Sequence, residues 1–372
     1  MADFLNDKDY GDYFRLLEAE LENKKPNIKT ETVSCPRQTH KRKRKSFHFK
    51  PHVIPSVVII VLALAVGISA ITGSAKSKPS TKDNKQLSIT KPSSNAPERV
   101  ESNKIIRATA DEKTAQPDSD IKSQFIAMVD LNTHKLVAAR NPDQRTSPAS
   151  TTKIMTALVA CEQIKDFNDT FTMVAEITDP IYLAGATSAG FKVGEVLTMS
   201  DLLYGCILPS GGDASLGLAY KISGSEENFV KLMNEKAEAL GLKDTHFTNV
   251  TGLYDKDHYT TAADMAMILE AAMHDPFCRK LLSTYQYTTS KTEQNPEGIT
   301  LTSTLFSYMY GTEPETAQID GGKTGYVNES GFCIASYGHS ADDTPYICVT
   351  LHAATRWPAV FDQIEMYKKY AK

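Results

Sequence analysis

The chain has 372 residues, 41% of them apolar, and a formal net charge of −4. That is enough apolar sequence for one sizeable core with appendages, and the acidic balance argues against a general nucleic-acid binder. The six cysteines include no Cys-x-x-Cys pair and no His-Glu-x-x-His stands anywhere in the chain, so neither a zinc centre nor a thioredoxin-type redox site is expected.

The N-terminal third is unlike the rest. Asp9 to Asn23 carries a weak helical period and no chemistry. A dense basic run, Lys41 to Lys45, precedes Val53 to Gly73, a stretch without a charged residue. About twenty such residues span a bilayer as a helix. Positive charge before the span places the N-terminus in the cytoplasm and the remainder outside. A cleaved signal peptide is the alternative, with Gly73-Ser74-Ala75 as its small-residue site. The long leader and full-length span favour an uncleaved anchor. The expected organisation is a cytoplasmic tail over 1–52, a single-pass membrane anchor over 53–73, a flexible Ser/Lys/Pro-rich linker over 74–121 and a globular domain over 122–372.

Gln124 to Asp130 and Lys135 to Ala139 read as two strands, joined by turn residues Leu131 to His134. A buried helix is expected from Ser150 to Cys161. Another runs from Ser225 to Leu240, with Ser225 as its cap and Glu226 and Glu227 in its first turn. Strands return at Gly331 to Ser336 and Tyr346 to Leu351, and a last helix runs from about Pro358 to Tyr370. Strands at both ends with helices between predict one α/β (α+β) domain in which the terminal strands share an antiparallel sheet. Cys333 and Cys348 fall on neighbouring strands, either facing each other or as separate buried thiols.

Three short motifs carry chemistry. In Ser150-Thr151-Thr152-Lys153 the spacing puts a hydroxyl and an amine on one helical face. A serine needs a neighbouring base to become a nucleophile. A lysine supplies it when burial or a nearby cation lowers its pKa. Ser210-Gly211-Gly212-Asp213 and Lys323-Thr324-Gly325 follow in order. Singly, each reads as a cap, a loop or a surface turn. His246 and His258 are read as structural.

Together, with Ser147 to Thr156, Asp201 to Gly205, Thr245 to Asn249, Thr251 to Leu253, His258 to Thr261 and Asp320 to Tyr326, these motifs resemble the low-molecular-weight penicillin-binding D-alanyl-D-alanine carboxypeptidases. The resemblance implies the serine β-lactamase/transpeptidase fold and cleavage of the terminal D-alanine from peptidoglycan stem peptides, without a metal or cofactor. β-Lactams would be covalent inhibitors, at the bacterial cell membrane. It makes Ser150 the nucleophile, Lys153 its base and Ser210 a proton relay. Lys323 and Thr324 would bind the substrate carboxylate, with Lys323 also depressing the Lys153 pKa. Gly325 would let the substrate lie on the strand edge, and Tyr326 would share an oxyanion hole with the Ser150 N–H.

The chain departs from the family at Gly212, where an asparagine is usual. This keeps open a weakly active peptidoglycan-binding protein. A D,D-endopeptidase and a β-lactamase are further alternatives, although no Glu-x-x-x-Asn loop of the class A β-lactamase kind occurs.

Overall fold

The computed structural model describes residues 105–312 and 314–372. The expected tail, membrane span and most of the linker lie outside the described residues. Among those described, no helix is long and apolar enough to cross a membrane.

Five strands form the central sheet: β1 (Phe125–Asp130), β2 (Lys135–Arg140), β7 (Ala317–Val327), β8 (Gly331–Ser340) and β9 (Pro345–Ala353), in the order β2-β1-β9-β8-β7. Every neighbouring pair is antiparallel. The first and last strands of the chain's expected domain meet, with Met128 opposite Cys348 and Ala127 opposite Val349. Two short ribbons, β3 (Thr170–Thr172) with β4 (Val196–Thr198) and β5 (Gln286–Thr288) with β6 (Thr300–Thr302), stand apart from the sheet.

Both faces of the sheet are covered. Phe125, Ala127, Val129, Ala335, Ile347 and Val349 join the large core with the helices. The opposite face, with Ile126, Met128 and Cys348, packs on Met366 and Tyr367 of the last helix, Arg356–Tyr370. That helix also lends Gln363, whose amide bonds the carbonyls of Ile334 and Cys348 and the Thr350 hydroxyl. A buried polar side chain so satisfied fixes the helix in one place on the sheet.

The large core is helical. Its axis is α1 (Lys153–Gln163), in which residues 153 to 161 are all buried. Around it lie α2 (Ala175–Leu183), α3 (Met199–Ile207), α4 (Gly212–Ser223), α5 (Glu226–Ala239) and α6 (Ala262–His274). Their starts obey local chemistry. Ser225 accepts from the Asn228 N–H at the head of α5, and Thr198 and Asp201 form a reciprocal capping box on α3.

Two expectations need correction. Residues 105–121, expected in the linker, belong to the domain. Thr109 and Ala115 bridge to Lys135 and Ala138, and Arg107 pairs with Asp143 and the buried Asp264. The segment covers edge strand β2 with backbone hydrogen bonds, which polar sequence supplies as well as apolar sequence does. The helix expected from Ser150 begins instead as a 3₁₀ turn, Ala149–Thr152, with α1 starting at Lys153. Cys333 and Cys348 are both free and buried. Cys348 lies opposite Ser336 of β8, whereas Cys333 lies opposite Gly325 of β7.

Candidate active site

The 3₁₀ turn sets Ser150 at the floor of a cleft of about 420 Å³, lined also by Lys153, Ser210, Gly212, Thr251 and Tyr326. Ala149 enters the turn at φ 47° and Ser210 stands at φ 68°, both in the left-handed region that costs a non-glycine residue energy. The strained backbone at Ala149, just before the nucleophile, and at Ser210 is held by what surrounds it. The Gly211 N–H donates to the Gly205 carbonyl and the Gly212 N–H to the Thr187 carbonyl, so the loop carrying Ser210 is pinned on both sides.

Lys153 is buried, and its Nζ donates to Ser150 Oγ at 3.0 Å and to the Thr251 carbonyl at 2.5 Å. Burial disfavours the ammonium and lowers its pKa to about 8, against the opposing pull of Cys206 and Asp213. Of the two causes expected, burial and a nearby cation, burial leads. Lys323 is itself held well below its ordinary value, first by burial and then by the charge of Lys153.

The Thr251 carbonyl is a participant that side-chain motifs do not reveal. Asn249 shapes its turn: Oδ1 accepts from the N–H groups of Thr251 and Gly252 and from the Thr251 hydroxyl, while Nδ2 donates to the Leu253 carbonyl. Gly252 sits at φ 82°, and a Cβ there would lie 1.9 Å from the Ala149 oxygen. The Thr251-Gly252-Leu253 block therefore presses directly on the nucleophile turn. His258 supports the same wall. Its Nδ1 accepts from the Thr248 N–H, which leaves Nε2 to donate to the Thr152 hydroxyl at 2.8 Å. Burial lowers its pKa to about 4, so the ring is neutral at ordinary pH. His246, by contrast, meets the Asp257 carbonyl from an exposed position.

Strand β7 borders the nucleophile as expected, but its residues divide. Tyr326 lines the cleft and is half exposed. Its ring stacks on Phe332 and its hydroxyl donates to Asn328. Lys323, Thr324 and Gly325 lie behind it. Lys323 is 1% exposed and donates to the Thr324 carbonyl, and the Thr324 hydroxyl meets that of Thr304 at 2.7 Å. A Cβ on Gly325 would stand 2.8 Å from the Ser150 nitrogen. The glycine there admits the nucleophile turn rather than a ligand, a reason different from the one expected.

Gly212 opens α4 and is not left-handed; a Cβ on it would meet Ile181 Cδ1 at 2.7 Å. Asp213 does not stand in for the usual amide. Its carboxylate accepts from Ser188 Oγ and the N–H groups of Ala189, Gly190 and Phe191, tying down a neighbouring loop. Away from the cleft, Cys161, Cys278 and Asp275 place their ligand atoms within 4.8 Å of one another. The Asp275 carboxylate already caps the helix Pro276–Leu282 through the N–H groups of Phe277 and Cys278.

The sequence is 32% identical over 215 residues to the D-alanyl-D-alanine carboxypeptidase DacF of Bacillus subtilis, covering 58% of this chain and 54% of that one. It is 31% identical over 217 residues to a D-alanyl-D-alanine endopeptidase of Pseudomonas aeruginosa, covering 58% of this chain and 66% of that one. The chain spans about half the length of the curated carboxypeptidases it matches. The Streptomyces K15 DD-transpeptidase superposes with a TM-score of 0.61 at 28% identity, over 68% of this chain and 99% of that one. Penicillin-binding protein 5 of Haemophilus influenzae gives 0.59 at 28% identity, over 68% and 71%. The fold is thus the α/β transpeptidase fold. With residues 111–355 matching the D-alanyl-D-alanine carboxypeptidase family, the chain belongs to that family.

Proposed function

We propose that this protein is a membrane-anchored serine D,D-carboxypeptidase that removes the terminal D-alanine of peptidoglycan stem peptides. The observation that carries the proposal is the 3.0 Å contact between a buried Lys153 amine and the Ser150 hydroxyl at the floor of a cleft. The neutral amine takes the Ser150 proton as Oγ attacks the penultimate carbonyl. The N–H groups of Ser150 and Tyr326 receive the oxyanion, a role supported by the close approach of the β7 backbone at Gly325 to the Ser150 nitrogen. The proton then passes by way of Ser210 to the departing D-alanine amine. Water cleaves the resulting ester and restores Ser150. Lys323 and Thr324, which precede Gly325 on β7, are assigned to the terminal carboxylate, which would have to draw them from their present bonds to the Thr324 carbonyl and the Thr304 hydroxyl. β-Lactams acylate the same serine. Release of D-alanine from a D-Ala-D-Ala pentapeptide by the wild type, and none by Ser150→Ala, is the expected result.

Gly212 supports a second reading, a peptidoglycan binder with weak turnover. Ile181 occupies the space that the first atom of the usual amide side chain would need. Labelling by a fluorescent penicillin without D-alanine release would favour it.

The membrane anchor belongs to the same proposal: residues 1–52 in the cytoplasm, 53–73 across the bilayer, and the catalytic domain outside the bacterial cell membrane. The uncharged run after a basic cluster supports it. Sequencing the mature protein should return the intact N-terminus; a start near Lys76 would show cleavage instead.

A further inference from the structure

One wall of the cleft ends in a turn with an acidic tip. Strand β7 gives way to β8 through Asn328, Glu329 and Ser330. The turn is built rather than loose: Ser330 is buried, its N–H donates to the Val327 carbonyl and its hydroxyl accepts from the Val327 N–H. Asn328 is fixed by the Tyr326 hydroxyl, and the Tyr326 ring by Phe332. Glu329 is the one carboxylate among the described residues lining the cleft, and its side chain is exposed. Apart from Lys153 and Glu329, the residues lining the cleft carry no charged side chain.

The direction of β7 tells which part of a substrate meets Glu329. Gly325 lies against the Ser150 nitrogen. Lys323 and Thr324 precede that point and Tyr326 to Glu329 follow it. If the leaving D-alanine carboxylate takes the Lys323 side, the acyl-donor chain runs toward Glu329. Successive residues of an extended chain advance ~3.3 Å. The side chain of the residue just before the two D-alanines therefore reaches the turn at 328–330.

We propose that Glu329 selects acyl donors bearing a free, positively charged amine on the residue preceding the D-Ala-D-Ala pair. This rests on the carboxypeptidase reading and names its substrate class. A carboxylate opposite an ammonium in an exposed rim gives a modest preference, about fivefold, equivalent to about 1 kcal/mol.

Two pentapeptides ending in D-Ala-D-Ala test it, identical except that the lysine third from the C-terminus is free in one and side-chain acetylated in the other. The expected ratio of kcat/KM, free over acetylated, is about five for the wild type, about one for Glu329→Gln and below one for Glu329→Lys. The wild-type preference should shrink with added salt. Equal use of both peptides by the wild type, or an unchanged ratio in Glu329→Gln, overturns the proposal. Should neither peptide be cleaved, the carboxypeptidase reading fails on its own. The same ratio is then read from Ser150 acylation by ampicillin and by its N-acetyl derivative: a preference for ampicillin lost in Glu329→Gln upholds the role of Glu329, and equal rates dismiss it.

Discussion

Lys153 Nζ lies between two oxygens, Ser150 Oγ at 3.0 Å and the Thr251 carbonyl at 2.5 Å. An amine held this way has its proton donor fixed on one side and its orientation fixed on the other. Two segments about a hundred residues apart in sequence thus meet on one nitrogen.

The pH dependence of acylation follows from that amine. With a pKa of about 8, Lys153 is mostly protonated at pH 6 and mostly neutral at pH 9. Only the neutral form accepts the Ser150 proton, so acylation rises about tenfold per pH unit below 8 and levels above it. Lys153→Arg, which stays charged, should lose about 100- to 10,000-fold in acylation rate. A stopped-flow pH profile with a chromogenic β-lactam checks both. His258 adds no limb near neutrality, because its ring gains a proton only as pH falls toward 4.

Ser150→Ala should end covalent β-lactam labelling while leaving the melting temperature close to that of the wild type. The residue is only partly buried, and losing one hydroxyl opens little space. Mass spectrometry of the intact protein after penicillin exposure checks the adduct. An adduct on another serine would remove Ser150 from the mechanism.

Gly252→Ala tests the wall behind the nucleophile. The new methyl would overlap the Ala149 carbonyl, on a backbone at φ 82°. A loss of about 1–3 kcal/mol is expected in urea unfolding. Acylation should fall as well, since Ser150 must shift with Ala149. A folded variant with normal acylation would show that the Thr251 turn does not position the serine.

Gly212→Asn restores the amide usual in the family, in a backbone that accepts a side chain once the Ile181 methyl turns aside. A hydrogen bond to a charged group is worth about 1.5–3 kcal/mol. About 1.4 kcal/mol of it expressed in the transition state speeds acylation about tenfold. Ile181→Val in the same chain relieves the contact and should enhance the effect. An unchanged rate in both variants would mean the site has been reshaped to work without the amide.

Lys323→Ala should reduce the preference for a free C-terminal carboxylate over an amide. Comparing D-alanine release from the acid with D-alaninamide release from the amidated peptide measures this. A wild type indifferent to amidation would take Lys323 out of substrate recognition.

Much of the architecture was legible in the sequence because local signals agreed with tertiary need. Short apolar runs bounded by polar and turn residues gave β1, β8 and β9, and Ser225 with two glutamates marked the start of α5. Ser150 and Lys153 were legible because a three-residue spacing fixes side-chain geometry through one helical turn. The Thr251 carbonyl was not, because a backbone acceptor leaves no trace in residue type. Ile181 against Gly212 was equally silent, being a contact between distant segments. Residues 105–121 misled for another reason. Their composition is that of a linker, and their order comes from hydrogen bonds to an edge strand that composition does not encode.

The most direct test of the account is D-alanine release from a D-Ala-D-Ala pentapeptide by the full-length protein, followed beside Ser150→Ala and Lys153→Arg. The account predicts steady release by the wild type, rising with pH to a plateau above about 8, none above background from Ser150→Ala, and about a hundredth of the wild-type rate or less from Lys153→Arg. Release that persists in Ser150→Ala, or a wild type that binds penicillin and liberates no D-alanine, would contradict it.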